Sequence, residues 1–260
     1  MKRRVCIVTG GANGIGRCIT ERLWEKGDFV AVIDRDIEAG KRLESKFNKE
    51  RFYFFAGDIT EKTVIEEFVE EFVEELVKFH SHVDILVNNA CIGKGGLNHC
   101  SYEEFNYVLR LGISAPFYLT KLLMPYFNQG ASIVNIVSTR AFMSQADTES
   151  YTAAKGGILS LTHGMSVTLA GKARVNAISP GWIDTGTYQK EEDYKPNHSE
   201  EDISQHPAGR IGNPDDIAQM VLFLCSEKAS FITGQNFTVD GGMTKQMIYH
   251  GDCGWSYEPS

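Results

Sequence analysis

The chain has 260 residues and a formal net charge of −8, with 42% hydrophobic and 23% charged residues, which suits one α/β domain or two small ones. The acidic balance argues against a nucleic-acid partner, which needs a basic surface, and no apolar run approaches the roughly 18 residues of a membrane span. Six cysteines without a C-x-x-C pair and seven scattered histidines argue against a zinc site or any other bound metal and predict a reduced, cytoplasmic protein.

The N-terminus is basic and then apolar, but its apolar run stops at Thr9, too soon for a signal-peptide core. Residues 5–8 read as a buried parallel strand. A helix follows, with Ile15, Ile19, Leu23 and Trp24 on one stripe, then a strand over 29–33 that closes on Asp34. Further helices are predicted over 37–47, 61–79, 102–111, 114–127, 150–169 and 215–225, with an interruption near Gly112. Further strands are predicted over 52–56, 83–87, 132–137, 174–179 and 237–239. The glutamates of the helix over 61–79 read as a solvated face. Strict alternation of strand and helix predicts a doubly wound parallel sheet of about seven strands, a single Rossmann-type domain spanning 1–260. The polar stretch 186–212 follows a strand's carboxyl end and is expected to be a mobile cover over a ligand. The tail, 245–260, carries Trp255 and Tyr257 and either docks or frays.

Two constellations carry chemistry. Gly10, Gly14 and Gly16 lie between a strand and a helix and would let backbone approach a pyrophosphate at the helix N-terminus. An acid, Asp34, follows about 20 residues later, where a dinucleotide site has its ribose partner. Asp34 would repel a 2′-phosphate and so argues for NAD, while the neighbouring Arg35 keeps NADP open. The second constellation is Ser138, Tyr151 and Lys155. The i, i+4 spacing puts Tyr151 and Lys155 on one helix face, where an ammonium would lower the phenol's pKa toward useful proton transfer. Ser138 could bond the oxygen of an alcohol or carbonyl. Alone, such a spacing is common on surface helices. Beside a nucleotide site it is not.

With both in hand, the chain resembles the short-chain dehydrogenase/reductase family over residues 4–244. The likeness rests on TGGANGIG from Thr9, Gly57-Asp58, VDILVNNA from Val83, Ser138, YTAAK from Tyr151, RVNAISPGWIDT from Arg174 and GQNFTVDGG from Gly234. It implies hydride transfer between a nicotinamide and a carbinol or carbonyl carbon. It implies that Gly10, Asn13, Gly14, Ile15 and Gly16 hold the cofactor, with Asp34 and Arg35 at its ribose and Asp58 and Ile59 at its adenine. Asn89 and Ala90 would line the groove, and Pro180, Gly181, Ile183 and Thr185 would hold the nicotinamide. Tyr151 would be the general acid/base, Ser138 the holder of the substrate oxygen, and Lys155 a partner of the nicotinamide ribose.

Two positions depart from the family pattern. Cys91 stands where glycine is usual. Gly112 stands where the family has an asparagine whose main-chain carbonyl, at a distortion of the helix, holds a water leading to the lysine. Glycine is permissive enough to keep that shape. Arg140, Gln145 and Trp182 are substrate-side candidates. Arg140 would meet an anionic or polyhydroxyl substrate, or else form a surface or interface salt bridge. The substrate is a small alcohol or ketone. The family's habit implies a homodimer or homotetramer built through the helices at 114–127 and 150–169. The alternatives are an NADPH-linked ketone or 3-oxoacyl reductase, and a dinucleotide sensor without catalysis.

Overall fold

Short apolar runs of this kind become strands only if both faces are covered. In a computed structural model, β1 (Val5–Thr9) is buried at every position, as is most of β2 (Phe29–Asp34). Burial thins at β3 (Phe52–Ala56), and returns through β4 (Val83–Asn88), β5 (Phe127–Ile136) and β6 (Ala173–Pro180). It thins again at β7 (Asn236–Val239). The order β3-β2-β1-β4-β5-β6-β7 explains this, because the two thin strands are the sheet's edges. All neighbours pair in parallel. The structure describes residues 3–78, 82–189, 194–249 and 251–252.

Between the strands run α1 (Gly14–Glu25), α2 (Ile37–Lys46), α3 (Lys62–Lys78), α4 (Tyr102–Leu109), α5 (Ala115–Leu123), α6 (Glu149–Thr168), α7 (Glu200–Ser204) and α8 (Pro214–Leu224). Ile19 and Leu23 of α1, Leu43 of α2 and Val221 of α8 fill one face of the sheet. Phe68 and Phe72 of α3, Leu119 and Leu123 of α5, and Met165 of α6 fill the other. The Phe68 and Phe72 rings stack 5.5 Å apart, and burying side chains of this size contributes about 1.5–3 kcal/mol each. The strand order reverses between β1 and β4, and ligands bind at the carboxyl ends beside such a switch point. The predicted doubly wound sheet of seven strands is therefore the fold.

Three boundaries differ from expectation. The helix predicted over 114–127 stops at Leu123, because Pro125 cannot continue it, and a 3₁₀ turn, Met124–Tyr126, follows. Phe127 instead opens β5, where it is 4% exposed. In the stretch 186–212, α7 forms on a capping box in which Ser199 and Asp202 bond each other's backbone. The neck of that stretch is closed by a bridge between Ile183 and Gly212. Residues 190–193, 79, 250 and 253–260 of the predicted cover, helix and tail lie outside the described residues, and so do Trp255 and Tyr257.

The predicted interruption near Gly112 is a π-helical turn, Arg110–Ser114. A Cβ on Gly112 would lie 2.8 Å from the Ala154 Cβ of α6. One turn on, a Cβ on Gly157 would meet Ile113 Cδ1 at 2.3 Å. The missing side chain therefore sets how closely the π turn seats on α6. Gly112→Ala is expected to destabilise the protein by about 1–3 kcal/mol through overpacking, read as a lower urea midpoint. Ala154→Gly in the same chain should recover part of the loss, and Gly112→Asn should fare worse than Gly112→Ala. A midpoint unmoved in all three would mean the contact carries no load.

Candidate active site

The turn after β1 is shaped by its glycines. Gly10 and Gly14 have φ of +62° and +56°, in the left-handed region that only glycine enters freely. Gly16 has no room for a side chain, since a Cβ would lie 2.1 Å from the Gly10 carbonyl oxygen. Asn89 locks the turn to β4. Its Nδ2 donates to the Thr9 and Gly10 carbonyls at 3.1 and 2.9 Å, and the Thr9 hydroxyl accepts from the Asn89 and Ala90 amides. Below it Asn88, Asn135 and Thr162 form a buried hydrogen-bonded line that ties β4, β5 and α6 together.

The turn opens into a groove of about 440 Å³. Its lining includes Gly10, Asn13, Gly14, Ile15 and Gly16 from the turn, and Asp34, Arg35, Asp58 and Ile59 from the ends of β2 and β3. Asn89, Ala90 and Thr185 complete it from β4 and the segment after β6. The N-cap of α1, Asn13, makes no side-chain bond to the helix amides. Its Nδ2 donates to Asp36, and its Oδ1 is buried without a partner. The Asp34 carboxylate accepts from the Ala12 and Asp36 amides, each at 3.0 Å, and each oxygen keeps a further lone pair. Uncapped helix amides, an orphan amide oxygen and a carboxylate with spare acceptor capacity fit the pyrophosphate and ribose hydroxyls of a dinucleotide.

Tyr107 of α4, which sequence reasoning did not single out, also lines this groove. Its hydroxyl accepts from Arg35 Nη1 at 2.9 Å and donates to Asp58 Oδ2 at 2.7 Å. Burial raises the Tyr107 phenol, as does Asp58 beside it. Burial alone would raise the Asp58 carboxyl, but bonds from Thr60 and Tyr107 and the Arg35 charge take it below its ordinary range. Asp36 and Gln189 were missed as well. None of these has a local pattern that would mark it.

Pro180, Gly181 and Ile183 are not in this groove. Pro180 ends β6 and is buried opposite Val239. Gly181 and Ile183 line a second, larger cavity of about 1130 Å³, together with Ser138, Tyr151, Arg140, Gln145 and Trp182. Met243, Ile248 and Tyr249 close it from the C-terminal side, and Asp202 and Gln205 close it from α7. The tail thus docks over the cavity as far as Tyr249.

Tyr151 and Lys155 lie one turn apart on α6. Lys155 is 3% exposed. Its Nζ donates to the Ile136 carbonyl at 2.7 Å and sits 5.4 Å from the Tyr151 ring centroid. The Ser138 Oγ accepts from the Arg140 amide at 3.1 Å and lies near enough to the Tyr151 phenol to favour its ionised form. Cys91 Sγ lies 4.0 Å from the phenol oxygen and also lines the nucleotide groove, so the two cavities meet at the Cys91–Tyr151 contact. The start of α6 is pinned from outside: Ser150 Oγ donates to the Gly95 carbonyl at 2.6 Å, and Asp147, at φ +59°, accepts from the Asn98 amide.

The expected net lowering of the Tyr151 pKa does not appear in this arrangement. Burial pushes the phenol up, the Cys91 thiol adds to that, and the Ser138 bond and the Arg140 charge only partly offset it. The physical reason is that the Lys155 amine is turned to a main-chain carbonyl while the phenol is withdrawn from water. Among the described residues there is no cluster able to hold a metal and no helix long and apolar enough to cross a membrane.

A family model described as Enoyl-(Acyl carrier protein) reductase matches residues 10–244. An uncharacterized oxidoreductase of Thermotoga maritima is 40% identical over 257 residues, covering 96% of this chain and 99% of that protein. A 3-oxoacyl-(acyl-carrier-protein) reductase of the same organism is 30% identical over 255 residues, covering 94% of this chain and 98% of its own. An apo SCOR enzyme from Clostridium thermocellum superposes with a TM-score of 0.86 at 41% identity, each chain covered in full. The matched span takes in the glycine turn, the sheet and the Tyr151–Lys155 helix, and the chain belongs to the short-chain dehydrogenase/reductase family of oxidoreductases.

Proposed function

We propose that the protein interconverts a secondary alcohol and a ketone with NAD(H), Tyr151 acting as general acid/base. The observation that carries this reading is the meeting of the two cavities at Tyr151, with Ser138 beside its phenol in the larger one. The nicotinamide, when bound, supplies or accepts the hydride. Everything else falls to the chain. Ser138, its Oγ oriented by the Arg140 amide, donates a hydrogen bond to the substrate oxygen. Tyr151 gives that oxygen a proton during reduction and takes one during oxidation. Lys155 is the buried cation that favours the phenolate as it forms. Gly10 to Gly16 hold the pyrophosphate, Asp34 the adenosine ribose, and Asp58 and Ile59 flank the adenine. Pro180, Gly181, Ile183 and Thr185 bound the nicotinamide end. The segment 186–212 and the tail cover the substrate. The π turn kept around Gly112 supports an enzyme over a dinucleotide sensor. Phe117 and Val167 stand 50% and 76% exposed on α5 and α6, which supports a homo-oligomer through those helices.

Asp34 supports NAD over NADP, because a 2′-phosphate beside its carboxylate is repelled. The Arg35 guanidinium is engaged by the Tyr107 hydroxyl, which supports the same preference. A second reading, an NADPH-linked 3-oxoacyl reductase, draws on Arg35 and on the similar Thermotoga maritima reductase.

Two measurements test these assignments. Tyr151→Phe should lower turnover by about 10²–10⁴-fold, the usual worth of a positioned acid or base. Because burial raises the phenol, Tyr151 is protonated at neutral pH. Ketone reduction should hold its rate through neutrality, and alcohol oxidation should climb steadily with alkalinity. An oxidation rate that peaks in acid would remove Tyr151 from the role. For the cofactor, calorimetric titration should show NADH binding about tenfold or more tighter than NADPH, and Tyr107→Phe, which frees Arg35, should narrow that ratio. Tighter NADPH binding in the wild type would favour the second reading.

A further inference from the structure

The large cavity has a lopsided chemistry. Its described lining holds a single cation, Arg140, and a single acid, Asp202. Asp202 is engaged elsewhere, its Oδ2 accepting from the Ser199 amide at 3.0 Å in the cap of α7. Arg140 has no such counterpart. None of the ion pairs among the described residues includes it, whereas Arg4, Arg17, Arg22 and Arg210 each pair with a carboxylate. Its one side-chain bond runs from Nη2 to the amide oxygen of Gln145. A neutral acceptor orients a guanidinium and leaves its charge uncompensated. No salt bridge within the chain holds it among the described residues.

The position of that charge matters as much as its freedom. The Arg140 amide donates to Ser138 Oγ, so the cation leaves the chain from the turn that fixes the reactive hydroxyl. Its field reaches the Tyr151 phenol. Trp182, Met243, Ile248 and Tyr249 supply apolar surface to the same cavity. A planar guanidinium presents a fork of donors that matches a carboxylate.

We propose that the cavity takes a hydroxy or oxo carboxylic acid, with its carboxylate on Arg140, its reacting oxygen between Ser138 and Tyr151, and its carbon chain against Trp182 and the Met243–Tyr249 segment. This rests on the hydride-transfer reading above and names its substrate class. The reaction balances as that reading requires: the hydroxy acid loses a hydride from its carbinol carbon to the nicotinamide and its hydroxyl proton to the Tyr151 oxygen, giving the oxo acid. The anion must lie within a few carbons of the carbinol, since Arg140 follows Ser138 by two residues. Gln145 is a positioning residue that keeps the guanidinium directed into the cavity.

The test compares 2- and 3-hydroxy acids of four to six carbons with their uncharged amides, each with NAD and with NADP. In the wild type, kcat/KM for the acids should exceed that for the amides by about tenfold or more. Arg140→Gln should erase most of that ratio, chiefly through KM, while Arg140→Lys should keep part of it, and thermal unfolding of each variant should show a retained fold. Calorimetric titration of the cofactor-loaded enzyme with 3-hydroxybutyrate and 3-hydroxybutyramide gives an independent readout, with acid binding expected to weaken in Arg140→Gln. Amides used as well as acids, or a ratio unmoved in Arg140→Gln, overturns the carboxylate assignment and leaves the hydride reading standing. Failure of every alcohol and ketone overturns the hydride reading instead. Calorimetry then still decides whether Arg140 binds a carboxylate.

Discussion

Helix α6 is held by an amino group that has no water. Lys155 lies beneath the sheet's carboxyl edge, bonded to the Ile136 carbonyl at 2.7 Å, and the rest of the site is arranged around where it can go. Isolated buried charges are expensive, and their cost falls when an opposite charge forms nearby. The Tyr151 phenol can become an anion, and its ring centroid is 5.4 Å from the amine. A unit anion at about that separation gains roughly 3 kcal/mol at an effective dielectric near 20. Burial of Tyr151 opposes ionisation and prevails in this arrangement. Burial is the larger of the two, so the phenol keeps its proton.

For Lys155 to reach Ile136, α6 must approach the sheet closely, and its other side must then accept α4 and α5. Small residues make this possible. Ala154 faces Gly112, Gly157 faces Ile113, and the chain between α4 and α5 widens into a π turn where they touch. The widening explains how the chain does without the asparagine usual in the family at position 112. The backbone shape at that position survives the loss of the side chain. Restoring an asparagine would push against Ala154 before it could add anything.

The parts of the fold written in local pattern were legible from the sequence. Alternating apolar runs gave the strand and helix order, and the glycine turn with Asp34 marked the nucleotide groove, because both signals lie within one short βαβ unit. The Tyr151–Lys155 pair was legible for the same reason. What escaped notice depends on distance through space. Tyr107 sits on an ordinary helix face and becomes notable only because Arg35 and Asp58 arrive beside it from β2 and β3. The direction of the Tyr151 shift follows from burial, which spacing along a helix cannot report. The division of Gly181 and Ile183 from the nucleotide groove needed the path of the chain after β6. One miss was legible in principle: Ser199 and Asp202 have the spacing of a capping box, and they start α7 inside a stretch that otherwise reads as polar loop.

Chemistry and selectivity occupy different kinds of structure here. Ser138, Tyr151 and Lys155 sit on the end of β5 and on α6, both anchored in the core, whereas Trp182, Gln205 and Tyr249 come from connections far apart in sequence. Loops held on a rigid scaffold are where recognition can vary without disturbing the reaction. Arg140 belongs to both groups. Its amide orients the Ser138 hydroxyl, and its guanidinium opens into the cavity with only the neutral amide oxygen of Gln145 as partner. In the proposed reading, one short turn relates the place where a substrate's charge is read to the place where its oxygen reacts. A substrate whose anion lies at the wrong separation from its carbinol can satisfy either end of that turn, but not both.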